Sequence, residues 1–261
     1  MFKKSYYHIF MILISPSKNL NIESETINYK FSEPKLKKKI KKLSKNLKGL
    51  SISELQSLMP ISDKLIELNK KRFANFDNSK NLKKPAAFLF TGATFDGLSI
   101  RSLEENLYDY AQKKLRILSG LYGILKPFDV IQPYRLEMGT NTVKLINSDL
   151  YKFWKDDVSR ILNEEIKNNG SAFLFNLSSK EYFSVINHKK ISVKTINFDF
   201  KTKLNDEYKN IGMQIKKMRG SMARFIIDNK IESIEPLKKF QVNNFKFEKI
   251  LPETNTLLFT S

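Results

Sequence analysis

Three groups of residues have the types and spacing to do chemistry. In the stretch from Met213, Lys217, Gly220, Ser221 and Arg224 fall on one helical face, opposite Ile215, Met218, Met222, Phe225 and Ile226. A glycine inside a helix costs about 0.8–1.0 kcal/mol relative to alanine. Gly220 among cations therefore signals a close approach to the backbone, made either by a phosphate or by another helix. Arg219 does not fit this basic face and reads as a rim residue or a member of a buried pair. The second group is Arg135 and Glu137, two apart, which share a face if their segment is a strand. Such a pair serves catalysis or forms a salt bridge, the salt bridge being the favoured reading. The third is the turn Met59-Pro60-Ile61-Ser62 between two helical stretches, with Ser62 as N-cap. Backbone N–H groups opening the second helix can hold a phosphate, which makes "LQSLMPISDKL" from Leu55 a helix-hairpin-helix candidate. The turn lacks the glycines that such hairpins usually carry, and an ordinary helical corner accounts for it equally well.

Composition removes much other chemistry. The chain has no cysteine, which excludes thiol peroxidases, zinc ribbons and cysteine nucleophiles. Its two histidines, His8 and His188, leave no metal site built on paired imidazoles, although carboxylate-only sites survive. No cofactor or metal is expected. Against 27 acids stand 46 lysines and arginines, a formal charge of +19 that would bind polyanions by releasing condensed counterions. Nucleic acid is the default partner, yet an AT-rich genome inflates lysine everywhere, so position must decide. Eight lysines between Lys35 and Lys48 surround the apolar stripe Leu36, Ile40, Leu43 and Leu47, with no acid in that segment. They form either a solvated face or a phosphate contact.

The elements that would position these residues alternate. Helices are expected from Pro34 to Gly49, from the Ser51–Glu54 capping box to Leu58, after Ser62 through Phe76, from Ser102 through Leu118, and from Ser148 to Gly170 with Trp154 inward. Strands are expected from Met11, over Ala86–Phe90, Ala172–Leu177 and Val193–Phe200, with Ser178–Glu181 capping another helix. The pattern indicates a mixed α/β (α+β) fold, a sheet flanked by helices, with a helix-hairpin-helix-like insertion near the N-terminus. Residues 11–261 read as a single compact domain and 1–10 as an N-terminal extension or sequence upstream of the true start. Lys3 and Lys4 precede a six-residue apolar run, Ile9–Ile14, shorter than the ~7–15 residues of a signal peptide's core. No other stretch approaches the ~20 apolar residues of a membrane span, so a cytoplasmic location without membrane contact is expected.

The runs "ISPSK" from Ile14, "ISDKL" from Ile61, "LRILSGLYGILKPFDVIQPYRLEMG" from Leu115, "LYKFW" from Leu150, "NLSSKEYF" from Asn176 and "KKMRGSMARFII" from Lys216 together resemble the YaaA-like peroxide-stress-resistance family. The resemblance covers nearly the whole chain from Met11. It implies a cytosolic bacterial DNA-binding protein of mixed fold, with a helix-hairpin-helix element and a positive cleft, linked to survival under hydrogen peroxide. The family's Ser-Pro-x-Lys motif falls on Ser15, Pro16 and Lys18, and its Ser-Asp-Lys on Ser62, Asp63 and Lys64. Its basic Arg-Gly helix falls on Lys216, Lys217, Arg219, Gly220 and Arg224, while Arg116, Arg135 and Glu137 come from the central run. The chain departs from the family at Gly92-Ala93-Thr94-Phe95, where Gly-Asp and an aromatic residue are usual, and at Phe259-Thr260-Ser261, which lacks a C-terminal arginine.

Without cysteine and with two histidines, the chain is poorly equipped to decompose peroxide itself, so protection would be indirect. The expected function is binding of duplex or structured DNA with low sequence specificity, through Lys18, Ser62, Lys64, Arg72, Arg116, Arg135, Lys216, Lys217, Gly220 and Arg224, with no obligate protein partner and no catalytic residue. The competing class is a lyase- or glycosylase-like enzyme in which Lys18, Lys64 or Lys217 attacks C1′, assisted by Asp63 or Glu137. A role in iron handling would rest on scattered carboxylates alone.

Overall fold

The computed structural model describes residues 9–205 and 207–261, so His8 and most of the expected extension lie outside the described residues. The strands are β1 (Ile9–Ile14), β2 (Lys84–Pro85), β3 (Leu115–Ser119), β4 (Gly123–Leu125), β5 (Val130–Ile131), β6 (Ser171–Leu177), β7 (Lys194–Leu204), β8 (Glu207–Lys209), β9 (Gln241–Val242), β10 (Phe245–Leu251) and β11 (Thr256–Thr260). Nine of them build one mixed sheet in the order β4-β3-β1-β6-β7-β11-β10-β9, with β8 paired onto β7, while β2 and β5 pair separately. The middle of the sheet, β3-β1-β6-β7-β11, is parallel throughout, and β4, β8, β9 and β10 add antiparallel pairings around it. A central parallel strand is covered on both faces and so carries a continuous apolar run rather than an alternation. β1 reads IFMILI for this reason, with Phe10 through Ile14 all buried. It begins two residues before Met11, and Phe10 stacks on Phe175 of β6 at 4.0 Å between ring centroids.

The helices are α1 (Lys37–Gly49), α2 (Ile52–Leu58), α3 (Asp63–Ala74), α4 (Ala86–Leu89), α5 (Ala93–Leu98), α6 (Tyr108–Lys114), α7 (Val143–Ile146), α8 (Leu150–Asn168), α9 (Lys180–Phe183) and α10 (Gly212–Asp228). α1 buries Ile40, Leu43 and Leu47, the expected stripe. α2 opens with both halves of the expected capping box, the Glu54 N–H donating to Ser51 Oγ and the Ser51 N–H to Glu54 Oε2. In α8 Trp154 is fully buried and its Nε1 donates to the Gly120 carbonyl at 2.9 Å. Gly170, the expected stop of that helix, has φ +61°.

Several elements differ from their expected form. Ala86–Phe90 is not a strand: Pro85 opens the one-turn α4, four buried residues whose apolar run has no period that separates helix from strand. The helix expected from Ser102 through Leu118 is two 3₁₀ turns, Ile100–Ser102 and Glu105–Leu107, followed by α6 and then β3. "LRILS" is apolar because β3 is buried along its whole length, and Ser102 turns its hydroxyl to Ser99 instead of capping a helix. The N-caps of α8 and α9 are Asp149 and Ser179, each one residue after the expected serine. Between β1 and β2 the chain inserts α1, α2 and α3. The last two are joined by Met59–Ser62, and nothing in that turn identifies a helix-hairpin-helix.

Candidate functional site

Connections leave the parallel strands in opposite directions at one place. From β1 the chain proceeds to β3 on one side, whereas β6, on the other side of β1, leads to β7 and β11 farther out. Such a reversal leaves a crevice beyond the carboxyl ends of the two strands, where open α/β sheets hold their ligands. Here Ser15-Pro16-Ser17-Lys18 emerges from β1 and Ser178-Ser179 from β6. The two exits are tied together, the Ser179 N–H donating to Ser15 Oγ at 2.8 Å. Ser178 is held by Asn176, whose Oδ1 accepts from its N–H and its hydroxyl. A cavity of about 340 Å³ opens at this point. β1's exit segment and Gly92–Thr94 form one part of its wall, Ser179, Glu181 and Tyr182 another, and Met213, Lys216 and Arg219 of α10 the rest.

The wall is fixed by a crossing of α5 and α10 that lacks intervening side chains. A Cβ at Gly220 would lie 1.8 Å from the Thr94 carbonyl oxygen, and one at Gly97 would lie 2.1 Å from that of Lys217. The close approach expected at Gly220 is therefore made by a helix and not by a phosphate, and this residue is closed to DNA. Arg219, the next residue back along α10, lines the cavity. Its guanidinium is largely withdrawn from water, which lowers its pKa, with Asp199 in partial opposition. Its Nε is buried without a hydrogen-bond partner, and no carboxylate among the described residues pairs with it. In the sequence, the mismatch of Arg219 with the basic helix face is the signal that it points elsewhere.

Lys18 extends the charge of the cavity outward. Its Nζ lies 2.8 Å from Glu137, which also receives Arg135 at 3.2 Å. The pair anticipated in sequence is thus a salt bridge, made within an irregular segment and not a strand, with Lys18 as a third member. Asn69 of α3 clamps the Arg135 backbone, donating to its carbonyl at 2.8 Å and accepting from its N–H at 3.0 Å. Arg72, also on α3, is partly buried, and burial first and Arg135 second lower its pKa. Of the expected binding residues, Lys18, Arg72, Arg135 and Lys216 therefore share one neighbourhood that runs from α3 to the cavity. Lys64 is exposed at the start of α3, and the Ser62 hydroxyl makes no capping bond.

Three expected residues lie elsewhere. Arg116 is 2 % exposed and donates through Nε to Glu165 at 2.5 Å, so it anchors a buried cluster and cannot reach DNA. Lys35 joins the same carboxylate at 2.8 Å. Burial raises the Glu165 pKa, but Arg116 and Lys35 outweigh it and hold the carboxyl below its usual range. Arg224 bonds Asp228 at 2.7 Å, the Ser99 carbonyl at 2.6 Å and the Ser102 carbonyl at 3.0 Å, which makes it a staple between α10 and the end of α5. Lys217 is exposed on a separate groove beside Thr202 and Ser261.

The other sites offer less. A wider groove of about 1020 Å³ along α8 holds Asp156, Arg160, Glu164 and Lys190, but these charges are paired with one another. His188 packs on the Phe183 ring at 4.7 Å and does not line the cavity. Among the described residues no three carboxylates or imidazoles gather as a metal site. None of the described helices is long and apolar enough to cross a membrane.

Comparison with known proteins identifies the relatives of this chain. The family model described as "Peroxide stress protein YaaA" matches residues 10–251. A UPF0246 protein of Francisella philomiragia is 41% identical over 253 residues, covering 96% of this chain and 99% of that one. One from Flavobacterium psychrophilum is 43% identical over 251 residues, 95% of this chain and 99% of that one. Another, from Legionella pneumophila strain Philadelphia 1, is 41% identical over 252 residues, 95% and 98% of the two chains. With nearly the full length matched on both sides, the chain belongs to the peroxide stress protein YaaA family, the UPF0246 proteins.

Proposed function

We propose that this protein binds duplex or structured DNA through phosphate contacts and protects it during peroxide stress. The observation that carries the reading is a set of cations on α1 and α3 that lack carboxylate partners among the described residues. Lys35 just before α1, and Lys37 and Lys39 on it, pair with acids outside the helix, whereas Lys38, Lys41, Lys42, Lys45 and Lys48 are exposed with no carboxylate partner among the described residues. α1 packs on α3, where Lys70 Nζ donates to the Lys48 carbonyl at 3.1 Å, so this lysine face continues toward Lys64, Arg72 and Arg135. Self-repulsion among these charges is relieved when a phosphate backbone takes the place of counterions. The α2–α3 hairpin would offer Ser62 and Lys64 to one such phosphate. Little base readout is expected, because no element resembles a major-groove reader. With no thiol in the chain, protection would come from occupying DNA and not from reducing peroxide.

The test is fluorescence anisotropy on a labelled duplex across a salt series. If roughly 6–10 phosphates are contacted, affinity falls by about 10³–10⁵ between 50 and 200 mM salt. Lys38→Gln and Lys45→Gln should each lower the logarithmic salt slope by about 1, and a flat salt response would remove the proposal. A second reading, an enzyme acting on DNA, is favoured by one observation: Lys18 lines the cavity with Glu137 as its partner, which is the disposition a lysine nucleophile and an assisting carboxylate require. Borohydride trapping on an abasic duplex, compared with Lys18→Gln, separates the two.

A further inference from the structure

We infer that the switch-point cavity is a binding site for a phosphate monoester, the 5′-phosphate of a single nucleotide unit, with Arg219 as its anchor. This site adjoins the surface proposed to hold duplex DNA, but its anchor, Arg219, is no part of that surface, and the inference does not rest on duplex binding.

The argument begins with what happens to other buried cations in this protein. Arg116 is buried and bonded to Glu165. Lys84 is buried and paired with Glu25. A guanidinium withdrawn from water without a partner costs free energy, and the fold avoids that cost at both of those positions. Arg219 has no carboxylate partner among the described residues. Its Nε is orphaned, and the residue lines an open cavity at the carboxyl ends of β1 and β6. The nearest opposing charge, Asp199, is already engaged with Lys201 at 3.3 Å. Arg135, at the outer end of the same chain of contacts, also has a buried Nε with no partner. Arg219 is thus a cation on the cavity wall for which the described residues supply no acceptor.

Charge then selects the acceptor. Lys18, Lys216 and Arg219 line the site against one carboxylate, Glu181, while Glu137 and Arg135 form a pair reached through Lys18. Glu181 is oriented away from a base role by the Gly139 N–H, which donates to its Oε1 at 3.0 Å. The excess of two positive charges matches a phosphate monoester, which carries about −1.5 to −2 near neutral pH, better than a carboxylate or a phosphodiester of single charge. Ser17, half-buried at the β1 exit, adds a hydroxyl able to donate. Size agrees as well: about 340 Å³ falls at the lower end of the ~300–1,000 Å³ typical of small-ligand pockets and suits one nucleotide. Rigidity is supplied by the α5–α10 crossing at Gly97 and Gly220, which sets Arg219 in position before any ligand arrives.

Isothermal titration of the full chain with inorganic phosphate, with each of the four common nucleoside 5′-monophosphates, and with the matching nucleosides tests this directly. At least one monophosphate should bind with Kd below roughly 1 mM while its nucleoside does not. Arg219→Gln should weaken that binding by at least about tenfold, Arg219→Lys should recover part of it, and Lys217→Gln, on the separate groove, should leave it unchanged. Paired oligonucleotides with and without a 5′-phosphate identify the source: a gain from the phosphate shows a strand end entering the site, and equal binding of the two leaves the free nucleotide as its ligand. Absence of binding by phosphate and all four monophosphates, or equal affinity in folded Arg219→Gln protein, overturns the inference. Salt-dependent duplex binding should survive in Arg219→Gln, so loss of this site and loss of the duplex-binding surface give different results.

Discussion

Replacing Arg219 by methionine should make the ligand-free protein more stable, and the size of the gain follows from the site. Arg219 holds a buried Nε–H with no acceptor, and an unsatisfied buried donor costs about 1–3 kcal/mol. Methionine keeps an unbranched stem that fills similar space and removes the orphan donor and the charge. Asp199 loses only a distant attraction, since Lys201 remains its partner at 3.3 Å. The expected gain is therefore about 1–3 kcal/mol. For a chain of this size each kcal/mol moves Tm by about 2–4 °C, so calorimetry should find the variant melting at least ~2 °C higher. Saturating phosphate ligand should then raise the Tm of the wild type and leave that of the variant unchanged. A folded Arg219→Met protein that melts lower than wild type would show that the guanidinium is satisfied in solution, and the reasoning about an empty anchor would fail.

Other consequences are as specific. Glu165→Gln should cost about 3–5 kcal/mol, because it strands Arg116 in the interior, and urea unfolding reads this directly. The same group gives a pH dependence. Its folded-state pKa is lowered, so its contribution is present above the unfolded value near 4.5 and is lost as pH falls through the folded value; acid titration of stability should show this loss in the wild type and not in Glu165→Gln. Arg224→Ala should reduce stability by about 1.5–3 kcal/mol through its lost bonds to Asp228 and to the Ser99 and Ser102 carbonyls, with the DNA salt slope unchanged. Gly220→Ala should destabilise by at least about 3 kcal/mol, since the added methyl group meets the Thr94 carbonyl, and a Tm equal to wild type would show that the crossing is looser than described.

Amphipathic and fully apolar periods were legible where packing obeys one rule. α1 could be read from Leu36, Ile40, Leu43 and Leu47, and α8 from Trp154 and its neighbours, because each helix buries a single stripe. "AAFLF" and "LRILS" were not, since short apolar runs carry no period and their conformations are set by neighbours distant in sequence. The charged residues show the same divide. The spacing of Arg135 and Glu137 announced their pairing, whereas the partners of Arg116, Lys18 and Lys39 come from positions 49, 119 and 118 residues away in the chain. Gly220 was correctly read as a point of close approach, but sequence could not say what approaches. The cavity itself exists only through the order of strands in the sheet, with β6 on the far side of β1 from β3, and no local pattern encodes that order.

The contact between α5 and α10 has a consequence for what can change in this protein. When a side chain obstructs a new methyl group, a second substitution elsewhere can shrink the obstacle and restore the fit. At Gly97 and Gly220 the obstacles are the carbonyls of Lys217 and Thr94, and a carbonyl is present whatever residue occupies those positions. No second-site substitution can clear the way, so each glycine is irreplaceable independently of its surroundings. Random mutagenesis followed by selection for folding should recover compensated variants across the apolar core and none at these two positions.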